Sequence, residues 1–244
     1  MKVVPRSLDP QTAVLREYTR LAPEYDTRWS FYVATTVRET LRRLEVRPGD
    51  KVLEIGCGTG ALLEQIRRGH PEVHLTGVDP CVEMLARARG RLGGSVELTE
   101  AWAEWLPFEP GSFDAVVICN VFHYLHQPRT ALGQAARVLR RGGRLLITDW
   151  CDDYLACKVY DWFLRLFNAA HYKTYGSRAC ARLLAEADFA DVRIDRYKIN
   201  WLWGLMAASA QKPLGPPTAS AEPDFAGRLH ALWTPRVVPA AAAS

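Results

Sequence analysis

The chain has 244 residues, 48% of them hydrophobic and 24% charged, with a formal net charge of +4. That composition supplies the core of one α/β domain and excludes a disordered or fibrous chain. It offers no basic stripe interleaved with aromatics, so no nucleic-acid partner is expected, and no apolar run nears the ~20 residues of a membrane span.

In chain order, Met1–Pro10 lacks the apolar h-region of a secretory leader. Residues 11–45 are expected to form one or two helices with Pro23 between them. Strand 51–55, Lys-Val-Leu-Glu-Ile, runs into Gly56, Gly58 and Gly60, and an apolar-periodic helix follows over 60–68. Strand 73–78 ends at Asp79, nineteen residues past Gly60, and a helix is expected over 81–91. Strands at 95–99 and 114–119 precede a helix over 129–140, whose basic last turn meets a glycine stop at Gly142-Gly143. Strand 144–149 leads to helices over 154–169 and 178–187, then to strands 191–199 and 201–210. Six of the fifteen prolines fall within 211–244, which reads as an irregular tail with a short helix near 224–232.

Cys57, Cys81, Cys119, Cys151, Cys157 and Cys180 have no C-x-x-C spacing and read as small buried hydrophobes in a reducing, cytoplasmic setting. His123-x-x-His126 is too sparse for a metal site, so no metal is expected. The arginines at 38–47, 87–91 and 137–144 read as solvated helix faces.

The strand–turn–helix at 51–68 carries the functional information. Glycines in such a turn permit positive φ and let backbone approach a ligand, while the helix N-terminus points at it. The spacing is G-x-G-x-G behind Glu54, not the G-x-G-x-x-G of a dinucleotide fold, which counts against a nicotinamide-dependent oxidoreductase. Asp79, at the tip of the second strand, is placed to accept from both hydroxyls of a ribose; the plainer alternative is a turn-forming Asp-Pro.

With this turn, the stretch Ala101-Trp-Ala-Glu-Trp-Leu-Pro-Phe-Glu-Pro-Gly-Ser-Phe-Asp-Ala-Val-Val117 and the N-terminal Tyr18-x-x-x-Ala22-x-x-Tyr25-Asp26 resemble the class I S-adenosylmethionine-dependent methyltransferases. The resemblance covers about residues 14–210 and is nearest the type 11, ubiquinone-biosynthesis-like small-molecule branch. It implies an α/β, Rossmann-like fold whose seven-stranded, mostly parallel sheet has helices on both faces and order 3-2-1-4-5-7-6. Residues 1–210 would form one domain with an N-terminal helical cap (1–45) and an aromatic lid insertion after strand five (151–177), followed by the 211–244 tail. The cofactor S-adenosyl-L-methionine would be bound by Tyr25, Glu54, Gly56, Cys57, Gly58, Gly60, Asp79, Pro80, Trp102, Ala103, Glu104 and Asn120. The family's adenine-facing Asp falls on Trp102, which cannot accept from the adenine amino group. The Ala103 backbone and the Glu104 carboxylate are the remaining partners.

Methyl transfer from a sulfonium needs alignment and exclusion of water more than it needs chemistry from the protein. A base is required only where the acceptor must lose a proton. His123, after strand four, is the first candidate and His171 the second; His123 ordering its loop by hydrogen bonding is the competing reading. Trp29, Tyr32, Trp150, Tyr154, Tyr172 and Tyr175, with Phe31, Trp201 and Trp203 as further aromatics, suit a small planar or hydrophobic acceptor. Val159, Phe163, Leu166 and Phe167 share helical spacing and read as the buried stripe of the lid helix. Tyr25 has the alternative of stapling a surface helix, and His126 reads as a helix-entry residue. The protein is expected to be a monomer or homodimer. The alternative function is a protein of the same fold that binds the cofactor without transferring methyl, such as a cyclase or a non-catalytic partner subunit.

Overall fold

The computed structural model describes residues 9–168, 171–200 and 203–215. Seven strands, β1 (Lys51–Ile55), β2 (His74–Asp79), β3 (Glu97–Glu100), β4 (Phe113–Cys119), β5 (Leu139–Trp150), β6 (Ala190–Lys198) and β7 (Gly204–Gln211), form one sheet in the order β3-β2-β1-β4-β5-β7-β6. The β1–β2, β1–β4, β2–β3 and β4–β5 pairings are parallel, and β7 runs antiparallel to both β5 and β6. This is the class I order expected from the sequence. The central strands are buried on both faces, as Val52, Leu53 and Ile55 of β1 and Val116, Val117 and Ile118 of β4 show. Such strands read as continuous apolar runs because helices cover each side of a parallel sheet.

One face is covered by α3 (Ser30–Leu41), α4 (Ala61–Gly69) and α5 (Val82–Leu92), which bring Val37, Leu62, Leu63, Ile66, Leu85 and Leu92 onto Val52 and Val117. The other face packs α6 (Pro128–Val138) and α8 (Ser177–Glu186) through Leu132, Val138, Cys180 and Leu184 onto Leu53, Ile118, Ile147 and Met206. Two short N-terminal helices, α1 (Pro10–Leu21) and α2 (Tyr25–Arg28), precede α3, and α7 (Leu155–Phe167) follows β5. Pro23 does part the N-terminal helices, but the segment holds three of them. All six cysteines are free and buried.

Three expectations change. The helix at 129–140 stops at Val138: residues 139–143 belong to β5, with Leu139 opposite Phe113 and a register shift before Arg144 meets Ala115. The glycines there bend a strand, and Gly142 takes φ 71°. The α7 stripe is reversed: Val159 and Phe163 are 60% and 39% exposed, while Cys157 and Asp161 are buried. The Asp161 carboxylate accepts from the Thr174 amide at 2.7 Å and lies 2.8 Å from His171 Nε2, and these polar bonds turn its face inward at the expense of the apolar stripe. The side chains of 166 and 167, Trp201 and the tail beyond 215, with its expected helix at 224–232, lie outside the described residues, and β7 itself reaches Gln211.

The arginines are also not simply solvated. Arg137 donates to the Leu106 and Phe108 carbonyls at 2.7 and 2.6 Å, and Arg43 sits 4.4 Å over the Tyr197 ring. Arg144 pairs with Asp50 where both side chains are nearly buried, tying β5 to the entry of β1. Removing one partner of such a pair strands the other charge. Arg144→Ala is expected to lower unfolding stability by about 3 kcal/mol, read as a shift of the urea midpoint with unchanged slope.

Candidate active site

The sheet changes winding direction between β1 and β4, and the crevice at their C-terminal ends is the usual ligand position in such folds. Here the chain leaves β1 through a turn stitched to β2, with the Gly56 and Cys57 amides both donating to the Val78 carbonyl at 2.8 and 2.9 Å. Gly56, Gly58 and Gly60 take φ of 74°, 51° and 77°, the left-handed region that a β-carbon disfavours. Their environments differ. A β-carbon at Gly56 would strike Val121, and one at Gly60 would strike Leu92 and Ala88 of α5, so Gly60 serves helix packing. At Gly58 nothing lies within 4 Å, because that position opens on a cavity.

The cavity has a volume of about 380 Å³. Its floor is Glu54, Gly56, Cys57, Gly58, Asp79 and Pro80. One wall is Trp102, Ala103, Glu104, His126 and Gln127, and another is Tyr18, Tyr25 and Tyr124. Asn120 and Val121 come from the end of β4, and Asp9, Gln11 and Val14 from the α1 side. Eleven of the twelve residues expected to bind a cofactor thus line one space, and Gly60 is the exception.

The acidic groups in this space are costly to bury. Asp79 accepts from the Gly58 and Cys81 amides, both at 2.9 Å, yet burial outweighs those bonds and pushes its carboxyl up to about 6. The Leu63 amide in the first turn of α4, where Gly60 offers no side-chain cap, favours one oxygen of the ionised Glu54. Its other oxygen, Oε2, is buried and unpartnered, and burial with the nearby Asp79 holds its carboxyl well above the usual carboxylate range. Glu104 Oε2 is likewise buried without a partner, and burial raises its carboxyl. Asp26, beside Tyr25, accepts from Thr59 Oγ1 at 2.7 Å and pairs with Arg91, clamping α2 to the glycine turn.

The expected acceptor-side residues lie elsewhere. None of Trp29, Tyr32, Trp150, Tyr154, Tyr172, Tyr175, His123 and His171 is in the cavity wall. Tyr32 is buried: its hydroxyl donates to Asn120 Oδ1 at 2.8 Å and accepts from Trp150 Nε1. Asn120 Nδ2 donates to Thr36 Oγ1 at 2.8 Å, so the Asn120 amide is spent on α3 and the residue meets the cavity at a φ of 59°. Trp29 and Trp203 pack on Tyr32, and Phe31 points outward. Tyr175 is core, packed on Phe122 with ring centroids 4.9 Å apart. Tyr154 lies at the start of α7 against Gly204 and Lys198. Tyr172 packs tilted against His126, whose proximity to Pro128 marks it as a helix-entry residue but which belongs to the cavity wall. Tyr18 and Tyr124 also line the cavity; Tyr18 opens the N-terminal signature, while nothing in the local pattern singles out Tyr124.

His123 and His171 do come together. Their rings are 5.5 Å apart, both buried, and each is held by an aspartate, His123 Nδ1 by Asp149 at 2.7 Å and His171 Nε2 by Asp161 at 2.8 Å. His123 stacks on Trp150 at 4.7 Å and packs tilted against its neighbour Tyr124 at 4.0 Å. Among the described residues no group of three His, Cys, Asp or Glu is placed to hold a metal, and no helix is long and apolar enough to cross a membrane.

Comparison with known proteins identifies a family and a fold. The family model "Methyltransferase domain" matches residues 53–147. The chain is 33% identical over 159 residues to the demethylmenaquinone methyltransferase of Thermotoga maritima, covering 62% of this chain and 69% of that protein. The chain spans about half the length of other curated C- and O-methyltransferases that it matches. Among solved structures, a SAM-dependent methyltransferase of Thermotoga maritima superimposes with a TM-score of 0.69 at 20% identity, covering 82% of this chain and 99% of that one. The [4+2]-cyclase SpnF superimposes with a TM-score of 0.61 at 17% identity, covering 73% and 81%. At such identity these two share the fold.

The Tyr32–Asn120–Thr36 bonds make Asn120 the hinge of the β4 exit. Asn120→Ala leaves the buried Tyr32 hydroxyl without its acceptor and places alanine at positive φ. A loss of about 2 kcal/mol in chemical denaturation is expected.

Proposed function

The chain belongs to the class I S-adenosylmethionine-dependent methyltransferases of the type 11 family, and from that premise we propose that it methylates a small, planar or hydrophobic acceptor, such as a quinone-like or natural-product molecule. The observation that carries the reading is the cavity beyond Gly58, lined by a carboxylate fit for a ribose and by Glu54 and Glu104, each with one buried, unpartnered oxygen. These residues fit the cofactor. Asp79 has lone pairs left, after its two backbone bonds, for the hydroxyls of a ribose. The Glu104 carboxylate supplies the acceptor for the adenine amino group that Trp102 cannot, while the Trp102 ring offers a face to the base. Gly58 leaves room for close approach, and Tyr25 with Tyr18 and Tyr124 closes the space on its aromatic side.

When bound, the cofactor supplies an activated methyl group on a sulfonium, open to in-line displacement. The protein's part is alignment, exclusion of water and, for a protic acceptor, removal of a proton. The half-buried wall of Tyr18, Tyr25 and Tyr124 narrows the space open to water and offers rings favourable to a sulfonium. His123 and His171 sit behind that wall as candidates for the proton.

The dense aromatic packing around Tyr32, Trp150 and His123 favours a second reading, in which the cofactor is held and no methyl is transferred. A panel of hydroxylated aromatics, matching amines and thiols, scored by S-adenosylhomocysteine formation, separates the two. Turnover of any member supports transfer, and binding of S-adenosylhomocysteine with no turnover supports the second reading.

Calorimetric titration tests the cofactor first. Wild type is expected to bind S-adenosylhomocysteine and not NADH, and Asp79→Ala to weaken binding about 100-fold through two lost charge-assisted bonds. Absence of binding to wild type removes the proposal. The raised carboxyl of Asp79 sets a pH dependence: protonation below about 6 removes acceptor capacity. Affinity is therefore expected to hold from pH 8 to 7 and to be about tenfold weaker at pH 5, with proton release on binding near pH 6.

A further inference from the structure

We propose that the outward face of α7 docks on an anionic lipid bilayer, lying in its interface without crossing it. The inference is separate from methyl transfer and holds for either reading of the cofactor site.

At about 100° per residue, an α-helix sets Trp162, Leu155, Val159 and Phe163 side by side within an arc of about 100°. All four are exposed, Leu155 at 77% and Trp162 at 65%. The opposite arc holds Tyr160, Leu164, Cys157 and Asp161. Tyr160 and Leu164 pack on the cluster of Tyr32, Trp150 and Leu205. Cys157 Sγ lies 3.2 Å from both the amide and the carbonyl of Gly204, and Asp161 meets His171 and the Thr174 amide. These contacts fix the rotation of the helix, so its outward apolar arc cannot turn into the core. Apolar residues exposed singly are ordinary, but four on successive turns of one face make a patch that marks a docking surface.

Charge decides what docks there. Lys158 borders the arc, three residues after Leu155 and four before Trp162, so it neighbours both. Lys158 and Lys173 act on one half-buried carboxylate, Asp152, and Lys198 sits 5.3 Å over the Tyr154 ring at the start of α7. All three lysines are exposed. The nearby Asp153 is already held by Ser177 and Arg196. At the far end of α7, Asn168 donates to Glu17, on which the exposed Arg20 and Arg28 also act. The apolar arc is therefore bordered by cations at both ends. Bilayer interfaces match this pattern, with acyl chains for the apolar side chains and anionic headgroups for the ammonium groups. A tryptophan in the arc suits the headgroup level. A second copy of the chain docked through the same face would set lysines against lysines. No helix among the described residues is long and apolar enough to cross the membrane, which leaves the interface as the position of α7. Tyr160 and Trp150 lie on the inner side of this helix, with ring centroids 5.7 Å apart. Docking would hold the aromatic half of the protein against the phase into which an apolar molecule partitions.

The test is flotation of the full chain with phosphatidylcholine vesicles, with and without phosphatidylglycerol at about a third of the lipid. Wild type is expected to bind the anionic vesicles about tenfold better than the zwitterionic ones, and added salt should weaken that preference. Replacing the exposed pair, Val159→Ser with Trp162→Ser, should lower binding to anionic vesicles about tenfold. Lys158→Glu with Lys173→Glu should remove the preference for anionic lipid. Both double variants change surface residues away from the cavity, so their affinity for S-adenosylhomocysteine should match wild type; Leu155→Gln replaces the serine pair if that variant misfolds. With bromine on the acyl chains, tryptophan fluorescence should be quenched, and Trp162→Phe should keep the binding while losing most of the quenching. Wild type that stays off anionic vesicles, binding unchanged in the serine pair, or quenching unchanged in Trp162→Phe overturns the proposal. A wild-type dimer dissolved by the serine pair, without vesicle binding, overturns it too and assigns the face to a second copy. Failure of wild type to bind S-adenosylhomocysteine counts against the cofactor reading alone, since flotation reads α7 independently.

Discussion

The hydrogen bonds between the Asp79 carboxylate and the Gly58 and Cys81 amides organise everything above the sheet. They join the exit of β1 to the exit of β2, and they do so only because Gly58 reaches a φ that a side chain would resist. The same junction is sealed from below by the Gly56 and Cys57 amides on Val78. An acidic group thereby stays buried at the point where the sheet changes winding. Burial raises its carboxyl, and the crevice is primed for a ligand that brings hydroxyl donors. Glu54 and Glu104 repeat the pattern with oxygens left unpaired. A fold selected for stability alone would satisfy or remove such groups, so their cost marks where binding energy is to be recovered.

A second set of bonds runs from this crevice into the aromatic half of the molecule. Trp150 donates to Tyr32, Tyr32 to Asn120, and Asn120 to Thr36, linking β5, α3 and the exit of β4 in one chain. The Lys173 amide donates to the His123 carbonyl at 3.1 Å, so the segment after α7 is tied to the turn that carries His123. Asn168 reaches Glu17 of α1 at 3.1 Å, which joins the end of α7 to α1.

The exposed apolar side of α7 follows from the same arrangement. Spacing alone turns Val159 and Phe163 inward, because an amphipathic helix normally buries its apolar stripe. The Asp161 carboxylate has partners in His171 and the Thr174 amide that exist only in the fold, and satisfying a buried charge outweighs the area two apolar residues would bury. The β5 start is a similar case. Arg140–Gly143 looks like a helix end, yet the free edge of Phe113 draws Leu139 into the sheet, and neighbouring strands override local propensity.

The seven strands were legible in the chain because they depend on local signals: apolar runs, glycine spacing and acids at strand tips; their order followed from the family resemblance. Gly58 and Asp79 could be picked out from the turn and the strand tip, which dictate their own residues, and Glu104 from the resemblance. The acceptor side was not legible in this way. Tyr32, Tyr154 and Tyr175 belong to the same aromatic-rich composition as Tyr18 and Tyr124, and only packing separates structural links and core from cavity wall. The pairing of His123 with Asp149, 26 residues away, and of His171 with Asp161 is likewise a product of tertiary contact. The sequence by itself determined the sheet and the cofactor-facing turn. The tertiary structure alone decided which aromatic rings meet the ligand space and which nitrogen of each histidine is left free, because both depend on groups brought together across distant strands and helices.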